Sequence, residues 1–453
     1  MLAAIHRNVI FPLIEVARRE PIRRCLSRLN RSQWYSRDQL KSLQWAKLTK
    51  LVHHCYNNIA YYRDTFRALG LLPQDIRSFD DFKRIALLTK ESIRDFPDRL
   101  MEKSLRKPVE HCRSAGTLGK PVTIVRDSLS SAYVRASQLR GLSWYGVGVG
   151  DKQLRIWGLP LDNKLAIKKK REDRLLNRVR ISAFDLVIER ACAHFRSIRK
   201  FRPKYIYGYA SSIYRICTLM SEKGLPGQDL KIRLVLTTSE PLYDPQRAFI
   251  EDYLGCRVVN EYGCSEVGPI AMECPEGRLH INMENVLVEF LSADNSEGRP
   301  PEIVVTNLNS YSMPLLRYRI GDTGWPLASE CGCGRGLEIM GFDGGRIWGT
   351  LVSTSGHFIS GAALFYIGFD IIQKYGGIVD FRVVQKNMKQ LDITLSTNAN
   401  FNDRILELFT DRIREVMGSN MQVRYIFRDE ILPLPSGKRL YVCSELEKGS
   451  GIC

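Results

Sequence analysis

Apolar positions in residues 1–105 recur at three- and four-residue intervals between basic ones. This predicts a mostly helical lead-in, punctuated at Gly70, Pro73 and Pro97. From about residue 112 the pattern becomes short apolar runs alternating with longer amphipathic stretches. Val122–Val125 predicts a strand, followed by a helix over about 128–144. Gln153–Trp157 reads as the next strand, with helices near 185–200 and 211–223. Ile232–Thr238 is a β-rich run, 244–254 a helix and Arg257–Asn260 a strand. Strands alternating with helices imply an α/β domain around a largely parallel sheet. Over 280–320, short strands (Val286–Leu291, Ile303–Asn307) separated by Gly, Pro and Asn turns predict a small antiparallel or barrel-like piece. A compact α+β unit closes the chain, with strands near 379–385, 390–396 and 421–427 and a helix over 402–417.

Length and charge refine this picture. A chain of 453 residues can bury a large core and is expected to divide into segments. We expect these at 1–105 (helical, packed on the large domain), 106–344 (the α/β domain) and 345–453 (a small, mobile α+β domain). The net charge of +18 favours anionic partners without choosing among them. Residues 1–48 carry ten Lys/Arg against Glu15, Glu20 and Asp38. Residues 164–180 carry eight, centred on Lys168-Lys-Lys-Arg171. A solvated helix face explains either cluster. The second reading is a peripheral membrane contact, because Ile5, Val9, Ile10, Leu13 and Ile14 recur at helical spacing beside Arg7, Arg18 and Arg19. No apolar run reaches the roughly 18 residues needed to cross a bilayer. No nucleic-acid module is recognisable, so charge alone does not argue for that partner. The twelve cysteines are mostly scattered singly, as in a reduced cytoplasmic protein.

Candidate chemistry lies in loops that follow strands. Ser114-Ala-Gly-Thr-Leu-Gly-Lys-Pro121 is a glycine- and hydroxyl-rich loop with one lysine, equipped to hold phosphate. It lacks the spacing of a Walker loop, and it opens into a strand rather than a helix. A plain turn between strands accounts for it equally well. Asn260–Gly268 offers a flat ring at Tyr262 and, after Gly263, a carboxylate at Glu266 suited to Mg²⁺ beside a phosphate. Thr238-Ser-Glu-Pro241 ends another strand in a polar turn. Polar loops after adjacent strands are where α/β sheets bind ligands. Arg317–Gly324 sets Asp322 between glycines as an acceptor for ribose hydroxyls. Cys274, His280, Cys331 and Cys333 offer three thiolates and an imidazole, a set suited to a structural Zn²⁺. Two unrelated pairs of buried thiols are the simpler alternative.

Taken in order, SAGTLGKP, TSEP, NEYGCSEVG, YRIGDTG, GGR and PSGK resemble the motif series of the adenylate-forming ligases. Within that superfamily the chain is most similar to the phenylacetate–CoA ligase-like family, and to its capsular polysaccharide branch. Gln33–Ser36, Asn57–Phe66, Gly208–Ser211 and Cys331–Arg335 carry that finer likeness, and the resemblance spans nearly the whole chain. It implies an ATP-dependent activation of a carboxylic acid as acyl-adenylate, then transfer to a thiol (CoA or a carrier protein) or another acceptor. It also implies that Ser114, Gly116, Thr117, Gly119 and Lys120 hold the β- and γ-phosphates. Ser239, Glu240, Pro241, Tyr262 and Gly263 would frame the adenine, Asp322 the ribose, and Glu266 would hold Mg²⁺. Tyr209, Ser211 and Cys264 would line the acid pocket. Arg346 resembles the interdomain hinge arginine, and Lys438 the mobile-domain lysine that bridges carboxylate and α-phosphate. Relatives look similar at the four zinc positions. The chain departs from the family at Ala115 and Leu118, where hydroxyls are usual, and at Trp348 and Gly349, where acidic residues are usual. Those departures motivate an alternative: a nucleotide-binding member of weakened turnover, acting as a scaffold.

Overall fold

A parallel sheet needs strands buried on both faces, and the runs Tyr205–Tyr209 and Leu234–Thr238 supply its centre. The computed structural model describes residues 2–103, 110–113, 122–157, 163–183, 186–292, 300–342, 350–356, 358–432 and 440–446. Strands β1 (Glu110–Arg113) and β2 (Thr123–Arg126) pair antiparallel, with Arg113 opposite Thr123. Next come β3 (Gln153–Trp157), β4 (Arg178–Ser182), β5 (Tyr205–Tyr209), β6 (Leu234–Thr238) and β7 (Arg257–Cys264). These five run parallel in the spatial order β4-β3-β5-β6-β7. Strands β8 (Gly268–Glu273) and β9 (Leu279–Ile281) continue the sheet antiparallel. A separate three-stranded antiparallel sheet holds β10 (Val286–Leu291), β11 (Glu302–Asn307) and β12 (Tyr318–Thr323). Strands β13 (Trp325–Leu327) and β14 (Ile339–Gly341) then return to the edge of the large sheet beside β9, completing nine strands.

Both faces of the parallel half are covered. Helices Ala191–Phe201, Ala210–Glu222 and Asp244–Leu254 bring Phe195, Ile198, Ile213 and Ile250 onto Leu154, Ile156, Ile206 and Val235. Side chains alternate across a strand, so Tyr205, Tyr207, Leu234 and Leu236 meet Leu142 and Val147 on the opposite side. The helix Ser128–Ser143 starts at Asp127, whose Oδ1 accepts the Ser130 N–H at 2.8 Å. Near its end Arg140 is fully buried, donating to Glu284 Oε1 at 2.7 Å and Asn282 Oδ1 at 2.5 Å. Ser32 also donates to Glu284 Oε1, at 2.6 Å, and Lys47 donates to the Glu284 carbonyl at 2.6 Å. That network ties the N-terminal helices to the sheet. Tyr62 adds a second tie, accepting the Leu316 N–H at 2.9 Å and donating to the Pro314 carbonyl at 2.9 Å.

The tail is a separate layer. A hairpin of β15 (Thr350–Val352) and β16 (Phe358–Ser360) leads into β17 (Ile378–Asn387), β18 (Gln390–Thr397), β19 (Gln422–Phe427) and β20 (Val442–Ser444). The last four form one sheet in the order β19-β18-β17-β20, backed by helices Gly361–Tyr375 and Asp403–Met417. Aromatic rings meet where this unit touches the larger one. Tyr243 stacks on Phe365 at 3.6 Å between centroids, and Tyr214 meets Phe369 at 5.8 Å.

The expected helical lead-in, α/β middle and α+β tail are all present, as a mixed α/β fold. Beyond the expected elements stand β1, β4, β5, β8, β9, β12 to β16 and β20, with the helices Asn163–Leu175 and Gly361–Tyr375. Tyr205–Tyr209 is buried at every position, so it shows no alternation to read. The basic run 164–180 contains a helix, Asn163–Leu175, followed by β4. Among the described residues no helix is long and apolar enough to cross a membrane.

Candidate functional site

The parallel strands end together, and several of the motif residues gather at those ends. β7 turns into β8 through a three-residue hairpin, Ser265-Glu266-Val267, with Cys264 opposite Gly268. Gly268 has φ +94°, a conformation that favours glycine, and a Cβ on Gly263 would meet the Gly268 carbonyl at 2.4 Å. The hairpin is therefore tight, and it fixes Glu266. Arg126, at the end of β2, donates to the Ser265 carbonyl and so ties this hairpin to the strand that follows the phosphate-loop motif. Glu266 is buried, and Tyr318 donates to its Oε1 at 3.0 Å. Burial and the Glu266 charge both raise the Tyr318 phenol, so the proton stays on tyrosine and the carboxylate remains the acceptor.

Four residues along β12 from Tyr318, Asp322 accepts a hydrogen bond from Tyr262 at 3.0 Å. Tyr262 is itself buried, its ring tilted against Phe342 with centroids 4.1 Å apart. The two tyrosine–carboxylate pairs thus join the end of β7 to the neighbouring three-stranded sheet. Ser239 leaves β6 with φ 69°, an unusual conformation for serine that is typical of ligand-contacting turns. Glu240 accepts the Ser211 N–H at 2.9 Å, linking the turn after β6 to the first turn of the helix that follows β5. Pro241 follows in the same turn.

Tyr209 ends β5, packed against Trp157 of β3 with centroids 4.3 Å apart. Ser211 is 3 % exposed, and among the described residues nothing hydrogen-bonds its hydroxyl. A buried hydroxyl without a partner suits a bound polar group. Gly208 permits close strand packing, since a Cβ there would meet the Ile156 carbonyl at 2.4 Å. Cys264 is half-buried, and burial raises its thiol well above the usual range, which disfavours a nucleophilic role. Ser114, Gly116, Thr117, Gly119, Lys120, Arg346, Trp348, Gly349 and Lys438 all lie outside the described residues. Tyr318, Trp157 and Phe342 are contributors that motif reading passed over. Tyr318 lies inside the YRIGDTG motif, four residues before Asp322, and that spacing puts both on one face of a strand.

At the far end of β8, Cys274, His280, Cys331 and Cys333 converge, their donor atoms all within 4.8 Å of one another. The Cys274 and Cys331 sulfurs are 3.6 Å apart, and Cys333 Sγ is 3.3 Å from His280 Nε2. Tetrahedral Zn²⁺ with bonds of about 2.3 Å needs sulfur–sulfur edges of about 3.7 Å. His280 Nδ1 faces the Leu337 carbonyl at 3.0 Å, which orients Nε2 toward the thiols. Burial lowers the His280 pKa to about 4, keeping the imidazole neutral, as a ligand must be. The donor set fits a tetrahedral ion.

Residues 351–445 match the family described as CapK C-terminal domain. A phenylacetate–coenzyme A ligase from Thermus thermophilus is 29 % identical over 316 residues, covering 67 % of this chain and 70 % of that protein. Protein CapK from Staphylococcus aureus is 25 % identical over 295 residues, covering 63 % of each. The chain therefore spans about two thirds of the relatives it matches, and slightly less of CapK. A solved 2-hydroxyisobutyryl-CoA ligase, in the postadenylation state with R3-HIB-AMP, superposes with a TM-score of 0.71 over 90 % of both chains at 16 % identity. An anthranilate CoA ligase in complex with anthranoyl-AMP covers 81 % of this chain and 73 % of its own, with a TM-score of 0.52 and 16 % identity. At such identities the likeness is one of fold. Sequence and fold together make this chain a homologue of the phenylacetate–coenzyme A ligases and of CapK, built on the adenylate-forming ligase fold.

Proposed function

We propose that the protein activates a carboxylic acid with ATP and passes the acyl group to a thiol, as an adenylate-forming ligase of surface polysaccharide biosynthesis. The observation that carries this reading is the pairing of Tyr262 with Asp322 and of Tyr318 with Glu266 beside the ends of the parallel strands. In the first step a carboxylate oxygen bonds to the α-phosphorus and pyrophosphate leaves, giving an acyl-adenylate. In the second a thiol sulfur attacks the acyl carbonyl and AMP leaves.

In this reading Tyr262, Gly263 and the Ser239–Pro241 turn frame the adenine, and Asp322 takes the ribose. Ser114, Gly116, Thr117, Gly119 and Lys120 cradle the departing pyrophosphate. Lys438 holds charge that develops on the α-phosphate, and Arg346 assists from the hinge. Tyr209, Ser211 and Cys264 line the acid pocket, with the Ser211 hydroxyl, which has no hydrogen-bond partner among the described residues, available to the substrate. Glu266 is a carboxylate suited to Mg²⁺, which would offset phosphate charge there. CoA or a carrier-protein thiol is the acceptor. A cytoplasmic protein with a peripheral membrane contact through its basic N-terminus fits the same role.

A screen of carboxylic acids by pyrophosphate release, with and without CoA, tests this reading. We expect release with one class of acid, and thioester only when thiol is added. Nucleotide binding without release from any acid would favour the scaffold alternative, for which Leu118, Trp348 and Gly349 are the motive.

We also propose a structural Zn²⁺ held by Cys274, His280, Cys331 and Cys333. Protein purified without added metal is expected to carry about one equivalent of zinc. Less than about half an equivalent in elemental analysis would reject the site. Cys331→Ser with Cys333→Ser should lose the metal and lower the melting temperature.

A further inference from the structure

The helical turns from Leu2 to Arg18 bury only one side. Phe11 packs toward Ile22, Cys25 and Leu29, and buried Glu15 accepts the Arg23 N–H at 2.6 Å. On the other side Ile5, Val9, Leu13 and Val16, spaced four, four and three residues apart, remain exposed, from 43 % at Ile5 to 75 % at Val16. A stripe of large apolar side chains left in water marks an interaction surface. Ile10 and Ile14, part of the same periodic pattern, are half-buried.

A second helix stands beside the first. Arg18 and Glu172 form an ion pair at 2.5 Å, and Lys169 reaches the same carboxylate at 2.9 Å. Glu172 belongs to the helix Asn163–Leu175, which leaves Ile167 and Leu175 exposed together with Lys169, Lys170, Arg171 and Arg174. Its other acid, Asp173, turns inward to Arg178 and Arg180. Among the described residues no carboxylate pairs with Lys170, Arg171 or Arg174.

We infer that these two joined helices dock on a bilayer bearing anionic lipid headgroups. The stripe Ile5–Val9–Leu13–Val16 would lie at the headgroup–acyl boundary, with the cations of the second helix against lipid phosphates. A second copy of the chain is a poorer occupant, because a two-fold contact would oppose the same unpaired cations. The inference rests on the peripheral contact proposed above and sharpens it to two helices and one lipid charge. It does not depend on the ligase chemistry.

Flotation of the full chain with phosphatidylcholine vesicles, with and without roughly a third phosphatidylglycerol, tests it at low and high salt. Binding is expected on the anionic vesicles, falling at high salt, and little on phosphatidylcholine alone. Lys170→Glu with Arg171→Glu and Arg174→Glu should weaken it by about a hundredfold. Leu13→Asp with Val16→Asp should abolish it, with melting temperature and pyrophosphate release unchanged. Binding to neither vesicle, or equally to both, overturns the proposal. If the charge triple binds normally while the Leu13/Val16 pair does not, a peripheral contact stands but the two-helix surface falls. A dimer that dissociates in the Leu13/Val16 pair, without flotation, assigns the stripe to a second copy and also overturns it.

Discussion

Glu266→Gln is expected to lower carboxylate-dependent ATP–pyrophosphate exchange by about 10²–10³-fold. The substitution preserves shape and can still accept from Tyr318, so the hairpin should hold its form. What disappears is the negative charge. Oε1 already serves Tyr318, and that phenol stays protonated because burial and the Glu266 carboxylate both raise its pKa. The glutamate therefore offers a carboxylate from a fixed position, and the amide of glutamine would hold a divalent cation poorly. The half-saturating Mg²⁺ concentration should rise in the same variant. Tyr318→Phe keeps the carboxylate but removes its tether, so a smaller loss of about tenfold is expected, again with a raised half-saturating Mg²⁺ concentration. Lys438→Ala should abolish exchange while ATP still binds, since it removes charge needed as the phosphoryl group transfers. Full exchange in both Glu266→Gln and Lys438→Ala would refute the roles assigned to them.

Arg140→Ala is expected to destabilise the large unit by about 3–5 kcal/mol, because it strips a fully buried carboxylate of its partner. Arg140 and Glu284 are 0 % and 2 % exposed in their side chains, so water cannot replace the lost contact. Ser32 would remain on the same oxygen, and Lys47 on the Glu284 carbonyl, which softens the loss without cancelling it. Replacing both partners, Arg140→Met with Glu284→Met, should recover much of the stability, since packed apolar groups need no counter-charge. The first transition in urea, followed by intrinsic fluorescence, reads both. A single variant that unfolds within about 0.5 kcal/mol of the parent would show that this network contributes little.

Local chemistry made many elements legible before the fold was known. The β-rich run at 232–238 and the helical spacing at 244–254 are signals carried by neighbours in sequence. Tyr205–Tyr209 gave no such signal, because a strand buried on both sides has no polar alternation. Glu266, Tyr262 and Asp322 stood out in the sequence as motif residues, and the structure places them near one another. Their partners did not stand out. Tyr318 meets Glu266 across 52 residues, and Arg140 meets Glu284 across 144, distances that only tertiary packing closes. The four metal-ligand candidates were visible as residue types, but their convergence depends on β14 pairing with β9, a contact no local pattern encodes.

Strand β8 lies between the Glu266 hairpin and the cysteine–histidine cluster. Its six residues begin just after Glu266 and end just before Cys274. A strand shifted by one residue would turn every side chain to the opposite face, and here it would carry Glu266 out of its place. At its distal end Cys274 lies beside His280, Cys331 and Cys333, and an ion bound there would hold that end in place. Glu273 reinforces the same end through paired contacts to Arg247 at 3.0 and 2.9 Å. A metal ion held by the cysteine–histidine cluster would therefore also fix the register of the strand that leads from the Glu266 hairpin.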